Sequence, residues 1–142
     1  MSNHKTPTDS FTVMNELVLP NDTNTLNNLM GGRLLHWMDI ASAIAAQKHC
    51  NRTVVTASVD SVSFNKGISL GDVVTISAKV SRSFRTSMEV YIEVWCENIP
   101  KGTKVKCNED VRLNNEKIAD FSDKTKEEVK YIRSFLSMKM YN

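Results

Sequence analysis

The chain lacks most of the devices that announce a function outright. Its 142 residues hold no run of about 18 apolar side chains, so no segment is long enough to span a bilayer as a helix. The opening residues, MSNHKTPTDSF, lack the apolar core of a secretory signal. Cysteine is scarce: Cys50, Cys96 and Cys107 are odd in number and show no CxxC spacing. That argues against a disulfide framework and against a structural zinc site, and three reduced thiols predict a reducing cytoplasm. A net charge of +2 is too small to hold nucleic acid by itself. GxSxG, P-loop, GxGxxG and HExxH motifs are all missing. His4, His36 and His49 have no ligand spacing with the cysteines, so no metal site is predicted. The neighbours His49 and Cys50 would point about 100° apart on a helix, which excludes them as a nucleophile–base pair. No repeat or low-complexity segment occurs. The seven methionines read as core gap-fillers.

Against that background one stretch stands out, GGRLLHWMDIASAIAAQKH at residues 31–49. Apolar side chains fall on almost every face, which predicts a helix wrapped by the rest of the protein. Asp39 lies in its middle. An ionised carboxylate in such a place is costly unless it is paired, hydrogen-bonded or needed. Arg33, His36, Asp39 and Ser42 recur every third residue and draw one slowly drifting polar line along the helix. Such a line either faces solvent or a subunit interface, or presents Asp39 to a cleft as a general base.

The remaining chain changes period. Residues 1–10 are polar and predicted to be disordered, and 11–19 form a first strand ended by Pro20. A polar loop at 21–28 leads to Gly31 and Gly32. In 73–80 and again in 88–97 apolar and polar residues alternate, as in half-buried antiparallel strands. Residues 54–64 alternate with a phase shift that a bulge near Asp60 or Ser61 explains. Residues 104–113 read as a weaker strand. The tail, 123–142, reads as an amphipathic helix capped by Thr125 and Glu128, with Val129, Ile132, Phe135, Leu136 and Met140 as its stripe. The predicted fold class is therefore α+β, with domain limits at 11–122 and an added C-terminal helix. A curved antiparallel sheet around one long central helix is the hot-dog architecture. A single curled sheet leaves edges bare, and self-association is the natural remedy.

Three further features can carry chemistry. The first amides of a helix have no internal partner and carry the positive end of its dipole, so the Gly32 N–H is a candidate oxyanion donor. The plain alternative is that Gly31-Gly32 only permits a tight turn. Asn21, Asn24, Asn27 and Asn28 are turn formers, yet any of them could hold a water or a carbonyl, and the residue types alone do not choose among them. The loop SRSFRTS at 81–87 places Arg82 and Arg85 among Ser83, Thr86 and Ser87. Guanidinium groups and small hydroxyls match phosphate oxygens, and Lys66 could extend the patch. A solvated basic turn is the alternative.

The pieces DTN (22–24), MGG (30–32), MD (38–39), TASVDSVSF (56–64), GD (71–72) and SRSFRTSMEV (81–90) occur in an order and spacing that resembles the hot-dog acyl-CoA thioesterases of the cytosolic acyl-coenzyme A hydrolase type. The resemblance runs from about Pro20 to about Asn108. It implies hydrolysis of an acyl-CoA thioester to a free acid and coenzyme A, with no cofactor beyond the coenzyme A of the substrate. It further implies that Asp39 activates water or attacks the carbonyl, that Asn24 enters from the partner subunit, and that the Gly32 amide polarises the carbonyl. The coenzyme A loop falls on Arg82, Ser83, Arg85, Thr86 and Ser87. Such enzymes assemble as trimers of dimers, that is, as hexamers. No membrane or nucleic-acid partner is implied.

One stretch departs from this pattern. The family continues after the strand near Lys104 into a long apolar final strand, whereas 106–123 here reads KCNEDVRLNNEKIADFSD. The final strand is therefore predicted to be shortened or replaced. The rival reading from another class is a non-catalytic acyl-CoA or acyl-thioester binding protein on the same fold. A hot-dog dehydratase would want a histidine in the helix N-terminal region, and His36 lies one turn further in.

Overall fold

The computed structural model describes residues 5–59, 67–107, 111–112, 131–132 and 135–141. The element order is β1 (Thr12–Leu17), α1 (Gly31–Cys50), β2 (Thr53–Val59), β3 (Val73–Ser83), β4 (Ser87–Asn98), β5 (Thr103–Lys106), two short strands β6 (Val111–Arg112) and β7 (Tyr131–Ile132), and β8 (Phe135–Tyr141). The main sheet runs β1-β3-β4-β8-β2, all antiparallel, with β5 also pairing β4. β6 and β7 pair with each other. This is the hot-dog arrangement expected from the alternation of strand and helix periods.

The β3–β4 hairpin forms the spine because its alternation is regular over both strands. Val74, Ile76, Ala78 and Val80 are buried, as are Met88, Val90, Ile92, Val94 and Cys96. Each pair lies across the ladder on the same face, for example Ile76 opposite Val94 and Ala78 opposite Ile92. The register shifts between Val80 and Arg82, which makes Ser81 a bulge. Its hydroxyl donates toward the Glu89 carbonyl at 3.2 Å and the Glu89 carboxylate at 3.1 Å. That shift turns Arg82 opposite Glu89 and aims the hairpin tip.

The helix is less enclosed than its composition predicts. Leu34, Trp37, Met38, Ala41, Ala45 and Ala46 pack on the sheet, but Leu35, Ile40 and Ile44 are 39%, 37% and 37% exposed. A sheet of this width covers one face of a helix, and the opposite apolar face stays open. Asn51 ends the helix in the left-handed region (φ 55°), with its N–H bonded to the Gln47 carbonyl at 2.7 Å. Asparagine tolerates that conformation better than most residues. Lys5 donates to the Lys48 carbonyl at 2.8 Å and to Asn51 Oδ1, placing a cation at the negative helix end.

Several expectations need correction. In the leading segment Pro7–Ser10 form a 3-10 turn, and the buried Ser10 hydroxyl accepts the Val80 N–H at 2.8 Å. The C-terminal helix does not form where the structure describes that region. Tyr131–Ile132 and Phe135–Tyr141 are strands, and β8 lies inside the sheet between β4 and β2. The final strand is thus present, supplied from further along the chain than the resemblance placed it. β8 belongs to the same sheet as β1–β4, and the limit drawn at 122 lies outside the described residues. The Thr125–Glu128 cap and the bulge at Asp60 or Ser61 lie outside the described residues, although the β2–β8 register does shift between Thr56 and Ser58.

The cysteines also differ from expectation. Cys96 and Cys107 form a disulfide with a Cα–Cα separation of 6.2 Å, leaving Cys50 as the free thiol. Cys96 faces Val105 across β4–β5, and the Cys107 N–H then reaches the Val94 carbonyl at 2.7 Å, so the two residues become diagonal neighbours on the buried face.

Candidate active site

Asp39 is half-buried on α1 and turned toward the sheet edge formed by β2. The Thr56 hydroxyl of β2 donates to Asp39 Oδ1. The same Thr56 oxygen lies 3.5 Å from Met138 Sδ on β8. Met138 is opposite Met88 in the β4–β8 ladder, and the next pair is Ser87 with Lys139. The carboxylate therefore sits at the end of the sheet that leads into the β3–β4 hairpin tip. Charge–dipole logic accounts for the Thr56 contact: a hydroxyl donor to an ionised oxygen is a strong hydrogen bond, and it leaves Oδ2 available. Thr56 is exposed, so the pair lies open at the outer edge of β2.

The polar line on α1 resolves into separate roles. Arg33 pairs with Asp22, Nε to Oδ1, at 3.1 Å. His36 is exposed. Ser42 is fully buried, and its hydroxyl has no partner among the described residues. The line thus winds from solvent at Arg33 into the core at Ser42, and Asp39 stands at the crossing.

At the other end of the first turns, Gly31 and Gly32 are exposed, and a Cβ placed on either would meet nothing within 4 Å. The first helical backbone bonds run from the Arg33 and Leu34 amides to the Met30 carbonyl, each at 3.1 Å, and no side chain caps the helix. Among the described residues the Gly32 amide is therefore one of the unpaired donors of the N-terminus. Asn24 lies in the loop that enters this helix. Its Oδ1 accepts the Leu26 N–H at 2.9 Å and the Asn28 N–H at 3.1 Å. Bridges at Thr23–Leu29 and Asn28–Ser69 close the loop. Asn27 takes φ 61°, which asparagine accommodates. Asn21 sits in the 3-10 turn Pro20–Asp22.

Within one chain the structure brings Asp39 to Thr56, while among the described residues the hydrogen bonds of Asn24 stay within its own loop, at Leu26, Asn27 and Asn28. Gly32 and Asp39 are seven residues apart on one helix, which is ~10 Å along the axis. Arg82, Ser83, Arg85, Thr86 and Ser87 surround the hairpin tip, where the Phe84 N–H reaches the Ser87 carbonyl at 2.7 Å. The Arg82 guanidinium lies 5.2 Å from the Phe84 ring centre, while Arg85 is exposed. Lys66 is outside the described residues. Reasoning from sequence alone missed Thr56 and Asp22. Thr56 stood in the quoted segment TASVDSVSF, but only the β2–α1 packing shows that its hydroxyl meets Asp39.

Residues 26–103 match the thioesterase superfamily model, and the chain belongs to that family. Mouse acyl-coenzyme A thioesterase 11 is 45% identical over 86 residues, 61% of this chain and 14% of that protein. The chain thus spans about a seventh of this mammalian relative. Escherichia coli (strain K12) acyl-CoA thioester hydrolase YciA is 35% identical over 100 residues, 68% of this chain and 76% of that protein. Among solved structures, an apo-hexameric acyl-CoA thioesterase superimposes with a TM-score of 0.76 at 33% identity, covering 96% of this chain and 72% of that one. The Staphylococcus aureus acyl-CoA hydrolase, solved with butyryl coenzyme A, coenzyme A and coenzyme A disulfide, superimposes with a TM-score of 0.76 at 28% identity, covering 97% and 70%. Three more structures of that hydrolase carry alanine in place of an asparagine, an aspartate or a threonine. Those positions are spaced 15 and 17 residues apart, as are Asn24, Asp39 and Thr56 here.

Proposed function

We propose that this protein hydrolyses acyl-CoA thioesters to a free carboxylic acid and coenzyme A, at sites built between two copies of the chain. The observation that carries the reading is the carboxylate of Asp39, held by Thr56 at the open edge of β2. The unpaired Gly32 amide stands ~10 Å away on the same helix. That separation is about the span of a carbonyl and a water between the two groups, and the support for a shared site is the apolar side of α1 left exposed at Leu35, Ile40 and Ile44. A second copy across the β2 edge and the exposed Leu35–Ile44 face brings its own Asp39 to that carbonyl.

In this arrangement the Gly32 amide and Asn24 of one subunit orient and polarise the thioester carbonyl. Asp39 of the partner subunit removes a proton from water through Oδ2 as the water oxygen bonds to the carbonyl carbon. Collapse of the tetrahedral intermediate breaks the C–S bond, and the sulfur takes up the proton that Asp39 removed from water and leaves as the coenzyme A thiol, which restores the carboxylate. A thioester is electrophilic enough for a base and an oxyanion donor to suffice, without a serine nucleophile, metal or further cofactor. The hairpin tip bearing Arg82, Ser83, Arg85, Thr86 and Ser87, with Lys66 as an added cation, takes the phosphates of coenzyme A.

The assembly proposed is a trimer of such dimers, in keeping with the hexameric relative. Among the described residues no helix is long and apolar enough to cross a membrane. A cytoplasmic location rests on the coenzyme A substrate alone, since the Cys96–Cys107 pair removes the support of three free thiols.

The test is release of free thiol from a panel of acyl-CoA esters. Turnover on at least one chain length is expected, and binding without turnover on all of them would leave only the non-catalytic reading. In the same assay Arg82→Ala or Arg85→Ala should raise KM by about 10- to 150-fold, the equivalent of losing one charged hydrogen bond of about 1.5–3 kcal/mol. Unchanged KM in both variants would remove the hairpin tip from the site.

A further inference from the structure

The Asp22–Arg33 ion pair is more than surface decoration, because Asp22 joins three parts of the carbonyl-binding half of the site. Asp22 is 7% exposed. One carboxylate oxygen, Oδ1, meets Arg33 Nε at 3.1 Å, and the other, Oδ2, accepts the Leu19 N–H at 2.9 Å. Its backbone carbonyl accepts the N–H of Met30, the residue that caps α1, also at 2.9 Å. Asn24 follows Asp22 by two residues, and Gly32 precedes Arg33 by one. Beside the direct chain of residues 25–31, a hydrogen-bonded link from the Asn24 loop to the helix start therefore runs through Asp22 and its bonds to Met30 and Arg33. The helix has no side-chain cap of its own, so the Asp22–Arg33 clasp and the Asp22–Met30 bond fix where its first turn points.

We infer that Arg33 and Asp22 are positioning residues that set the distance between Asn24 and the Gly32 amide, and so tune polarisation of the thioester carbonyl without touching substrate. This rests on the reading of Asn24 and Gly32 as the carbonyl holders. It differs from a merely structural role in its kinetic signature. Misplacing an oxyanion donor by a fraction of an ångström weakens the transition state while leaving the distant phosphate anchor at the hairpin tip intact.

The experiment compares Arg33→Gln, Arg33→Lys, Asp22→Asn and Lys5→Ala in the full-length oligomer, with kcat, KM and Tm measured for each. Arg33→Gln and Asp22→Asn should lower kcat about 10- to 100-fold with KM within about twofold, and Arg33→Lys should recover part of that loss by keeping the cation. Lys5→Ala, which loosens the opposite end of the same helix, should lower Tm and leave kcat unchanged. If Arg33→Gln does not fold, Asp22→Asn reads the same split, because the amide can still accept from Leu19. Wild-type kcat in Arg33→Gln or Asp22→Asn would overturn the inference, and so would losses that track Tm in all four variants. Asn24→Ala separates the two levels of the argument. Full activity in Asn24→Ala defeats the site itself, whereas an inactive Asn24→Ala beside an active Arg33→Gln defeats only the clasp.

Discussion

Asp39→Ala is expected to lower kcat for acyl-CoA hydrolysis by about 10²- to 10⁴-fold, the usual contribution of a positioned general base, while the protein folds and assembles as before. The structural reason is that Asp39 is half-buried at a sheet edge and its hydrogen-bond partner among the described side chains is Thr56. Removing the carboxylate leaves no buried charge behind, and alanine is the better helix former in the middle of α1. Tm should therefore hold or rise, as is common where a residue is kept for function at some expense of stability. Thr56→Ala should show the same pattern at smaller size, about 10-fold in kcat for one hydrogen bond to a charged group. Thr56→Ser should keep most of the activity because the hydroxyl remains. Kinetics on three variants with parallel thermal melts check all of this. A large fall in Tm for Asp39→Ala with kcat intact would show that the carboxylate serves the fold instead.

The second large effect concerns β8. Ending the chain before Phe135 should abolish cooperative folding. β8 has a hydrogen-bonded neighbour on each side, β4 through Ser87–Tyr91 and β2 through Thr53–Val59. Its loss strips a central strand and detaches β2, the strand that carries Thr56. A gentler version is Met138→Ala. Met138 is fully buried, and such truncations cost about 2–5 kcal/mol, a large part of the roughly 5–15 kcal/mol that keeps a domain folded. Urea unfolding of both variants is the measurement. A truncated chain that still melts cooperatively at the wild-type midpoint would mean that the last residues are an appendage, as a terminal helix would have been.

That tail shows where sequence reading fails. Ile132, Phe135, Leu136 and Met140 fit a helical stripe, but Leu136, Met138 and Met140 also alternate with Ser137, Lys139 and Tyr141. Two periods fit one short segment, and local pattern cannot choose between them. The open edges of β4 and β2 decide, and those edges exist only in the folded sheet. β3 and β4 were legible because their alternation is long and one face is fully buried. α1 was legible in its limits, from Gly31 to the turn at Asn51. Its exposed side was not, because an apolar residue facing a partner reads like one facing the core. Asp39 could be singled out from its misfit with its neighbours. Thr56 and Asp22 could not, since threonine suits any strand and aspartate suits any turn, and their partners are distant in sequence. The Cys96–Cys107 pairing likewise depends on the β4–β5 register.

The central claim is that each active site takes Asn24 and Gly32 from one chain and Asp39 from another. Co-expression of Asn24→Ala and Asp39→Ala subunits carrying different tags, with mixed dimers purified through both tags in turn, tests it directly. Each variant alone should be inactive. A mixed dimer within the hexamer holds one intact composite site of two, so oligomers carrying both tags should recover activity, up to roughly half of the wild-type kcat per dimer. Mixed dimers as inactive as either parent would contradict the claim and return Asn24 and Asp39 to separate roles within a single chain.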